Sequence, residues 1–99
     1  MKYLLLALLV VSFVHCASNP NQLTEAGKKV QIMSGKKPME GCEVVDKVIA
    51  ENEIGSIQVS TNKVRNIAAQ KGANYVLIED EILNGSKAKV IATAYTCTE

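Results

Sequence analysis

The chain has 99 residues, which is enough for one small domain. Its eleven basic and ten acidic side chains nearly cancel. This balance leaves no strongly basic surface to neutralise a phosphate backbone, so the composition argues against nucleic acid as a partner. The lysine pairs at 28–29 and 36–37 are typical of solvated charge, with a weak contact to anionic lipid head groups as the alternative.

The N-terminus has the form of a signal peptide. Met1 and Lys2 are followed by "YLLLALLVVSFV", a run of twelve residues without a charge. A membrane-spanning helix needs roughly 20 apolar residues, whereas the shorter run suits the apolar region of a leader. Residues 1–15 are therefore predicted to be a lipoprotein-type signal peptide, and the protein is expected to be exported.

Three cysteines bear on where the protein resides. Exported proteins usually pair their thiols, and if Cys42 and Cys97 pair, Cys16 is left over. In bacteria, a cysteine directly after a signal peptide carries a diacylglycerol on its thiol, and cleavage occurs just before it. We therefore predict lipid attachment at Cys16, with residues 16–22 as a short tether and residues 23–99 as a single domain.

The residues around Cys16 leave a second interpretation open. Lipoprotein leaders usually have an aliphatic residue three positions before the cysteine and a small residue immediately before it. Here those positions hold Phe13 and His15. Cleavage after Cys16 or Ala17 by ordinary signal peptidase is the alternative, and the protein would then be secreted or periplasmic without an anchor.

Two strands are predicted in the first half of the domain. The stretch "KKVQIMSG" alternates in polarity, with Val30 and Ile32 on one face and Met33 on the other. After the loop "KKPMEG", the β-branched stretch "CEVVDKVIAE" predicts a second strand. The two strands are expected to form a hairpin. A disulfide from Cys42 to Cys97 is then expected to link this first hairpin to the C-terminal edge of the sheet.

The segment "SIQVSTNKVRNIAAQKG" changes to a helical period. Ser56 or Ser60 is suited to cap the start, and Gly72 is suited to end the helix. Arg65 is expected on the surface, and Asn66→Ala is expected to be nearly neutral. The predicted apolar face comprises Ile57, Val64, Ile67, Ala68 and the stem of Lys71.

Two further strands are predicted at "ANYVLIEDEIL" and "KAKVIATAYTC", joined by a tight turn at Asn84-Gly85. In the third strand, Val76 and Ile78 should share one face, and Tyr75 and Leu77 the other. Small side chains in the fourth strand, Ala92 and Ala94, would let the helix approach closely. The order β-β-α-β-β predicts an α+β domain with one helix packed on a four-stranded sheet.

Few residues are suited to catalysis or metal binding. The single histidine, His15, belongs to the predicted leader, so the mature domain lacks the commonest general base. Cys42 and Cys97 have no further soft ligands nearby, and the acidic run at 79–81 matches no calcium loop. We therefore expect a disulfide between these cysteines and no catalytic residue, metal or cofactor.

Four stretches resemble a known group of proteins: "LTEAGKKVQIM", "GCEVV", "KVRNIAAQKGANYVLI" and "AYTC". They are similar to the YjeI-like bacterial lipoproteins, a family of unknown function, over about residues 23 to 97. That family has one cysteine before the second strand and one at the end of the last, which match Cys42 and Cys97. The resemblance thus implies the same disulfide.

A more distant resemblance covers "SIQVSTNKVRNIAAQKGANYVLI", which is similar to the helix and following strand of the Rcs stress-sensor lipoprotein of the enterobacterial outer membrane. That sensor has a long proline-rich tether and two disulfides at other places, whereas this chain has a tether of a few residues and a single candidate pair. The resemblance therefore implies a similar fold more than a sensing role.

The leading functional hypothesis is a non-enzymatic envelope lipoprotein that binds or monitors a protein partner. Ala17 and Ser18 follow Cys16, and the resemblance implies that the absence of Asp there permits sorting to the outer membrane, facing the periplasm. The second hypothesis is a small-ligand or cell-wall binding module that uses the sheet face or the 34–41 loop.

Lipid attachment is decided by the intact mass of the protein purified from membranes. We expect a chain that begins at Cys16 and carries acyl mass, because the leader and the unpaired cysteine both favour it. A mature chain that begins at Ala17 or Ser18 without acyl mass would contradict this prediction.

Overall fold

The computed structural model describes residues 22–35, 38 and 40–98. The predicted leader, Cys16 and the tether up to residue 21 lie outside these residues. The described elements are α1 (Glu25–Lys28), β1 (Gln31–Ile32), β2 (Cys42–Asn52), α2 (Ile57–Gln70), β3 (Tyr75–Asn84) and β4 (Lys87–Cys97). The predicted α+β fold is confirmed: α2 packs on one face of a four-stranded sheet, and the short α1 is an element that the sequence patterns did not indicate.

The strands lie in the order β1-β3-β4-β2. β1 is parallel to β3, while β4 is antiparallel to both β3 and β2. The first two strands therefore lie at opposite edges, and the predicted hairpin between them is wrong. The connection from Met33 to Gly41 is long enough to cross the sheet, because nine residues can span about 30 Å and strands are about 4.8 Å apart.

The predicted faces of β1 are also wrong. Val30 and Met33 are buried, whereas Ile32 is 45% exposed. The regular strand is only two residues long, and Val30 directly precedes it after α1. Side chains alternate between the two faces only along a continuous strand. Val30 and Met33 lie outside the two-residue strand, so the alternation in the sequence did not predict their burial.

The helix α2 begins and ends as the sequence indicates. Ser56 is the N-cap, and its hydroxyl accepts a hydrogen bond from the Val59 N–H at 3.1 Å. Gly72 follows the last turn with a φ of 83°, a conformation that glycine adopts without strain. Val64 and Ala68 are fully buried, and Ile67 packs partly buried against the same core.

Small residues of β4 determine how closely α2 approaches the sheet. Ala88, Ala92 and Ala94 are fully buried beneath the helix. Ser60 does not cap the helix; its hydroxyl donates to the Ala88 carbonyl at 3.0 Å and accepts from Asn52 Nδ2 at 2.8 Å. These bonds satisfy polar groups that would otherwise lie unpaired at the helix–sheet contact.

The turn between β3 and β4 differs by one residue from the prediction. Asn84 pairs with Lys87, so Gly85 and Ser86 form a two-residue loop. Gly85 has a φ of 64°, and no described non-glycine residue has a positive φ. A positive φ at the first loop residue alone is the type II′ arrangement, which places glycine there and leaves Asn84 in the strand.

The disulfide between Cys42 and Cys97 is present, and it joins two residues that lie directly opposite each other on β2 and β4. Their Cα atoms are 4.0 Å apart. At the next pair of residues, outside the ladder, the Thr98 N–H donates to the Gly41 carbonyl at 3.0 Å. The bond therefore closes one end of the β2–β4 ladder rather than joining a hairpin to another edge.

We expect Cys42→Ser and Cys97→Ser to lower the free energy of unfolding by similar amounts, about 2–4 kcal/mol, because either change opens the same loop of the unfolded chain. Urea unfolding measures the loss, and reduced wild-type protein is the control that should match both variants. Two titratable thiols in protein from an oxidising compartment, or one variant as stable as wild type, would contradict the bond.

Candidate functional site

The face of the sheet opposite α2, here called the open face, is the candidate site. The strand registers place Ile49 of β2 directly opposite Ile91 of β4 on this face. Ile82 of β3 pairs with Lys89 and is therefore a diagonal neighbour of Ile91, within reach of a long side chain. These three isoleucines form what we call the open patch.

The open patch is exposed although it is apolar. Ile49 is 49% and Ile82 is 38% exposed, and Ile91 is partly buried. An antiparallel sheet with one solvated face usually carries polar side chains there. Charged residues surround the patch instead of filling it, and an apolar surface with a polar rim is typical of an interaction site. The surrounding charges are Lys47, Glu51, Asp80 and Lys89.

At the opposite end of the open face, the side chains are buried in a second, smaller core. Met33, Leu77 and Tyr95 are buried there against the disulfide, with Tyr75 partly buried beside them. This arrangement confirms the predicted faces of β3, since Val76 and Ile78 belong to the core beneath α2. Among the described residues that the registers place on this face, the exposed large apolar side chains are Ile49 and Ile82 of the open patch and Val44, which is 66% exposed.

A β-bulge in β3 places Ile82 on the open face. The register shifts between Ile78, which packs beneath α2, and Asp80, which pairs with Ile91. In a regular strand Ile78 and Ile82 would share a face, because they are four residues apart. The extra residue, Glu79, reverses this relation. Its carboxylate lies 3.8 Å from the Lys47 ammonium in an exposed ion pair.

A second bulge, in β2, lies between Val44 and Asp46. Val44 pairs with Tyr95 on the open face, whereas Val48 and Ala50 are buried beneath α2. Lys71 at the end of α2 lies 2.9 Å from the Asp46 carboxylate. The hydrogen bond from Lys71 lowers the pKa of Asp46, and the Lys47 backbone N–H contributes in the same direction.

The N-terminal segment is held on α2 by two side chains whose role the sequence patterns did not indicate. Arg65 donates from Nε to the Val30 carbonyl at 2.9 Å and from Nη2 to the Lys28 carbonyl at 3.3 Å. Asn66 donates from Nδ2 to the Gln22 carbonyl at 2.9 Å. These contacts argue against the expectation that Asn66 tolerates substitution. The sequence pattern did not indicate them, because hydrogen bonds to a distant backbone leave no periodic signal.

Asn66 also organises the start of α1. Its Oδ1 accepts from the Thr24 N–H at 2.8 Å and from the Thr24 hydroxyl at 3.0 Å. The same hydroxyl caps α1 by accepting from the Gly27 N–H at 2.9 Å. A Cβ on Gly27 would overlap Asn66 Oδ1, so a larger residue here would displace the Asn66 side chain from its hydrogen bonds to Thr24.

The described residues offer little for chemistry. No group of three or more His, Cys, Asp or Glu side chains among them could hold a metal ion. Within the same residues, no helix is long and apolar enough to cross a membrane, and no buried side-chain nitrogen or oxygen lacks a hydrogen-bond partner. In the acidic run, Asp80 accepts from the Glu81 N–H at 2.9 Å and Glu79 pairs with Lys47.

A shallow cleft of about 470 Å³ lies beside the disulfide, where the 34–41 loop enters β2. It offers hydroxyl groups, a carboxylate and backbone atoms rather than a titratable pair arranged for proton transfer. The residues that line it are Gly41, Cys42, Glu43, Thr96 and Thr98.

No family model, characterised protein or solved structure matches this chain. The resemblance to the YjeI-like lipoproteins therefore stays an expectation from the sequence.

We expect Asn66→Ala to lower the free energy of unfolding by about 1–3 kcal/mol, because it removes three hydrogen bonds to the segment at 22–24. Asn62→Ala is the matched control on the same helix, since Asn62 bonds only the exposed Gln58 side chain and its loss should change stability by less than about 0.5 kcal/mol. Hydrogen exchange should locate the loss in residues 22–30. Equal effects of the two variants would contradict this assignment.

Proposed function

We propose that this protein is an exported, non-enzymatic lipoprotein that binds a protein partner in the bacterial envelope through the open patch. In this proposal Cys16 carries the lipid and the domain faces the periplasm from the outer membrane. The observation that carries the proposal is the exposure of Ile49 and Ile82 at the centre of a charged rim.

The shape and composition of the patch favour a protein over a small molecule. Small ligands usually bind in concave sites that cover most of their surface, whereas the open patch lies on the face of a sheet. A flat apolar centre with charges of both signs around it matches the anatomy of protein–protein interfaces. The rim charges Lys47 and Glu51 would then contribute to orientation more than to affinity.

Binding through the face is favoured over strand addition at the β2 edge. The Lys47 N–H is satisfied by the Asp46 carboxylate at 2.8 Å, and the Glu51 carbonyl accepts from Lys63 Nζ at 3.0 Å. The bulge between Val44 and Asp46 also interrupts the strand. Bulges and charged side chains are features by which natural edge strands avoid pairing with further strands.

A small-ligand or cell-wall binding module is the second candidate. It is supported by the cleft beside the disulfide, whose hydroxyls Thr96 and Thr98 and carboxylate Glu43 are groups that hydrogen-bond sugars. This cleft and the open patch are distinct sites, so one crosslinking experiment distinguishes the two candidates.

The test places a photo-crosslinking amino acid at position 82 of the full chain and compares Ile49→Asp with Ile54→Asp. Both isoleucines are exposed, at 49% and 67%, but Ile54 lies in the loop between β2 and α2. We expect one envelope protein to be crosslinked, with a yield that falls about tenfold on Ile49→Asp, because a few central apolar residues carry most of the binding energy.

Ile54→Asp should leave the yield unchanged. An adduct that is equally sensitive to both substitutions, or to neither, would contradict binding through the open patch. Adducts that carry glycan and form from a probe at position 96 instead would support the second candidate.

A further inference from the structure

The outer edge of β3 is open along most of its length. β1 pairs with β3 only at Tyr75 and Val76, and no other described strand lies on that side of the sheet. Every residue of β3 from Glu79 to Asn84 is exposed. An exposed edge strand presents unpaired N–H and C=O groups, and a further strand can pair with them.

The regular part of this edge has a defined beginning and end. The bulge at Glu79 bounds it on one side, and the loop that starts at Gly85 bounds it on the other. The stretch between them, residues 80–84, has Ile82 at its midpoint. Two antiparallel copies that overlap along the whole stretch would therefore place Ile82 opposite Ile82 on a two-fold axis.

The backbone of this stretch suits that register. Asn84 closes the two-residue loop by pairing with Lys87, and hydrogen-bonded pairs alternate along an antiparallel ladder. The even-numbered residues of the stretch therefore bond to β4, and the backbone groups of Glu81 and Leu83 are directed outward. In the two-fold arrangement each Glu81 lies opposite Leu83 of the second copy, so the outward groups meet as hydrogen-bonded pairs.

One of these outward groups is covered in the single chain. The Asp80 carboxylate accepts from the Glu81 N–H at 2.9 Å, and the Leu83 carbonyl of a second copy would take its place. At the β2 edge, the Lys47 N–H and the Glu51 carbonyl are both covered. The β3 edge is thus the less protected of the two.

The side chains of the stretch are complementary to themselves in this register. Asp80 and Asn84 alternate with Glu81 and Leu83 and so share the open face with Ile82. Ile82 would meet Ile82, and each Asp80 carboxylate could accept from the Asn84 amide of the second copy. No two acidic residues lie opposite each other. A shift that centres the pair on Asp80 would place two carboxylates opposite each other, which is destabilising.

We propose that two copies of this chain associate edge to edge through residues 80–84 of β3. The two sheets then form one continuous sheet, and the open patches of both copies meet at Ile82. The role of this joined surface rests on the proposed function, which it deepens, whereas the association itself requires neither the lipid nor another protein. The paired segment is short, so we expect a weak dimer with a dissociation constant on the order of 100 µM.

A cysteine at position 82 should report the pairing directly. Opposite residues of a non-hydrogen-bonded pair have Cα atoms about 4.5 Å apart, which a disulfide can bridge. The chain already makes a disulfide across such a pair, since Cys42 and Cys97 lie next to the hydrogen-bonded residues Gly41 and Thr98.

The test oxidises Ile82→Cys and Ile49→Cys variants of the full chain in intact membranes, with wild type as the control for its own cysteines. Ile49 lies on the same face but on β2, at the far edge of the sheet. We expect about tenfold more disulfide-linked dimer from position 82 than from position 49, because opposite residues meet only along the paired edge.

A second pair of variants tests the backbone. Leu83→Pro removes an outward N–H from each copy, and proline is tolerated at an edge strand where the N–H faces solvent. Added to Ile82→Cys, it should reduce the crosslinked dimer about tenfold, whereas Leu83→Ala should reduce it much less. Circular dichroism checks that the proline variant is folded, and the comparison of positions 82 and 49 does not depend on it.

Equal crosslinking at positions 82 and 49, crosslinking at position 49 alone, or a yield at position 82 that a folded Leu83→Pro variant leaves unchanged would overturn this inference. The photo-adduct with an envelope protein can still form in each case, because it depends on Ile49. A crosslinked dimer without that adduct would retain the inference and contradict the proposed function.

Discussion

A β-strand directs successive side chains to opposite faces of its sheet, so one inserted residue reverses every position after it. Two such insertions organise this domain. The bulge before Asp46 brings Val48 and Ala50 beneath α2, while the bulge after Ile78 moves Ile82 away from it. The core under the helix and the apolar patch on the opposite face are consequences of the same two irregularities.

The ends of the domain are fastened by polar and covalent contacts. At one end, the disulfide joins β2 to β4, and the Asn74 side chain bonds both the N–H and the carbonyl of Cys97, at 2.8 and 2.9 Å. At the other, β1 has only two residues, and Arg65 and Asn66 hold the segment before it on α2. A small core benefits from such fixed points, since each restricts the unfolded chain or satisfies a backbone group.

The rim of the open patch holds charges of both signs, because Lys47, Lys89, Glu51 and Asp80 lie on the same face of the sheet. In the proposed function a protein partner would meet an apolar centre inside this mixed rim. The rim charges would then contribute to the orientation of the partner more than to its affinity.

The sequence by itself determined the elements whose signals are local. The period of α2, the cap at Ser56 and the alternation of Tyr75 to Ile78 depend on neighbouring residues, and the cysteine count together with the family resemblance indicated the Cys42–Cys97 bond. Only the tertiary structure decided the sheet order, the two bulges and the hydrogen bonds of Arg65 and Asn66. Each of these depends on residues far apart in the chain, such as Asn66 and Gln22, and a contact at that separation leaves no period or motif in the sequence. The open patch is also a feature that only the tertiary structure decided, because the bulge in β3 places Ile82 on a face that regular alternation would not have given it.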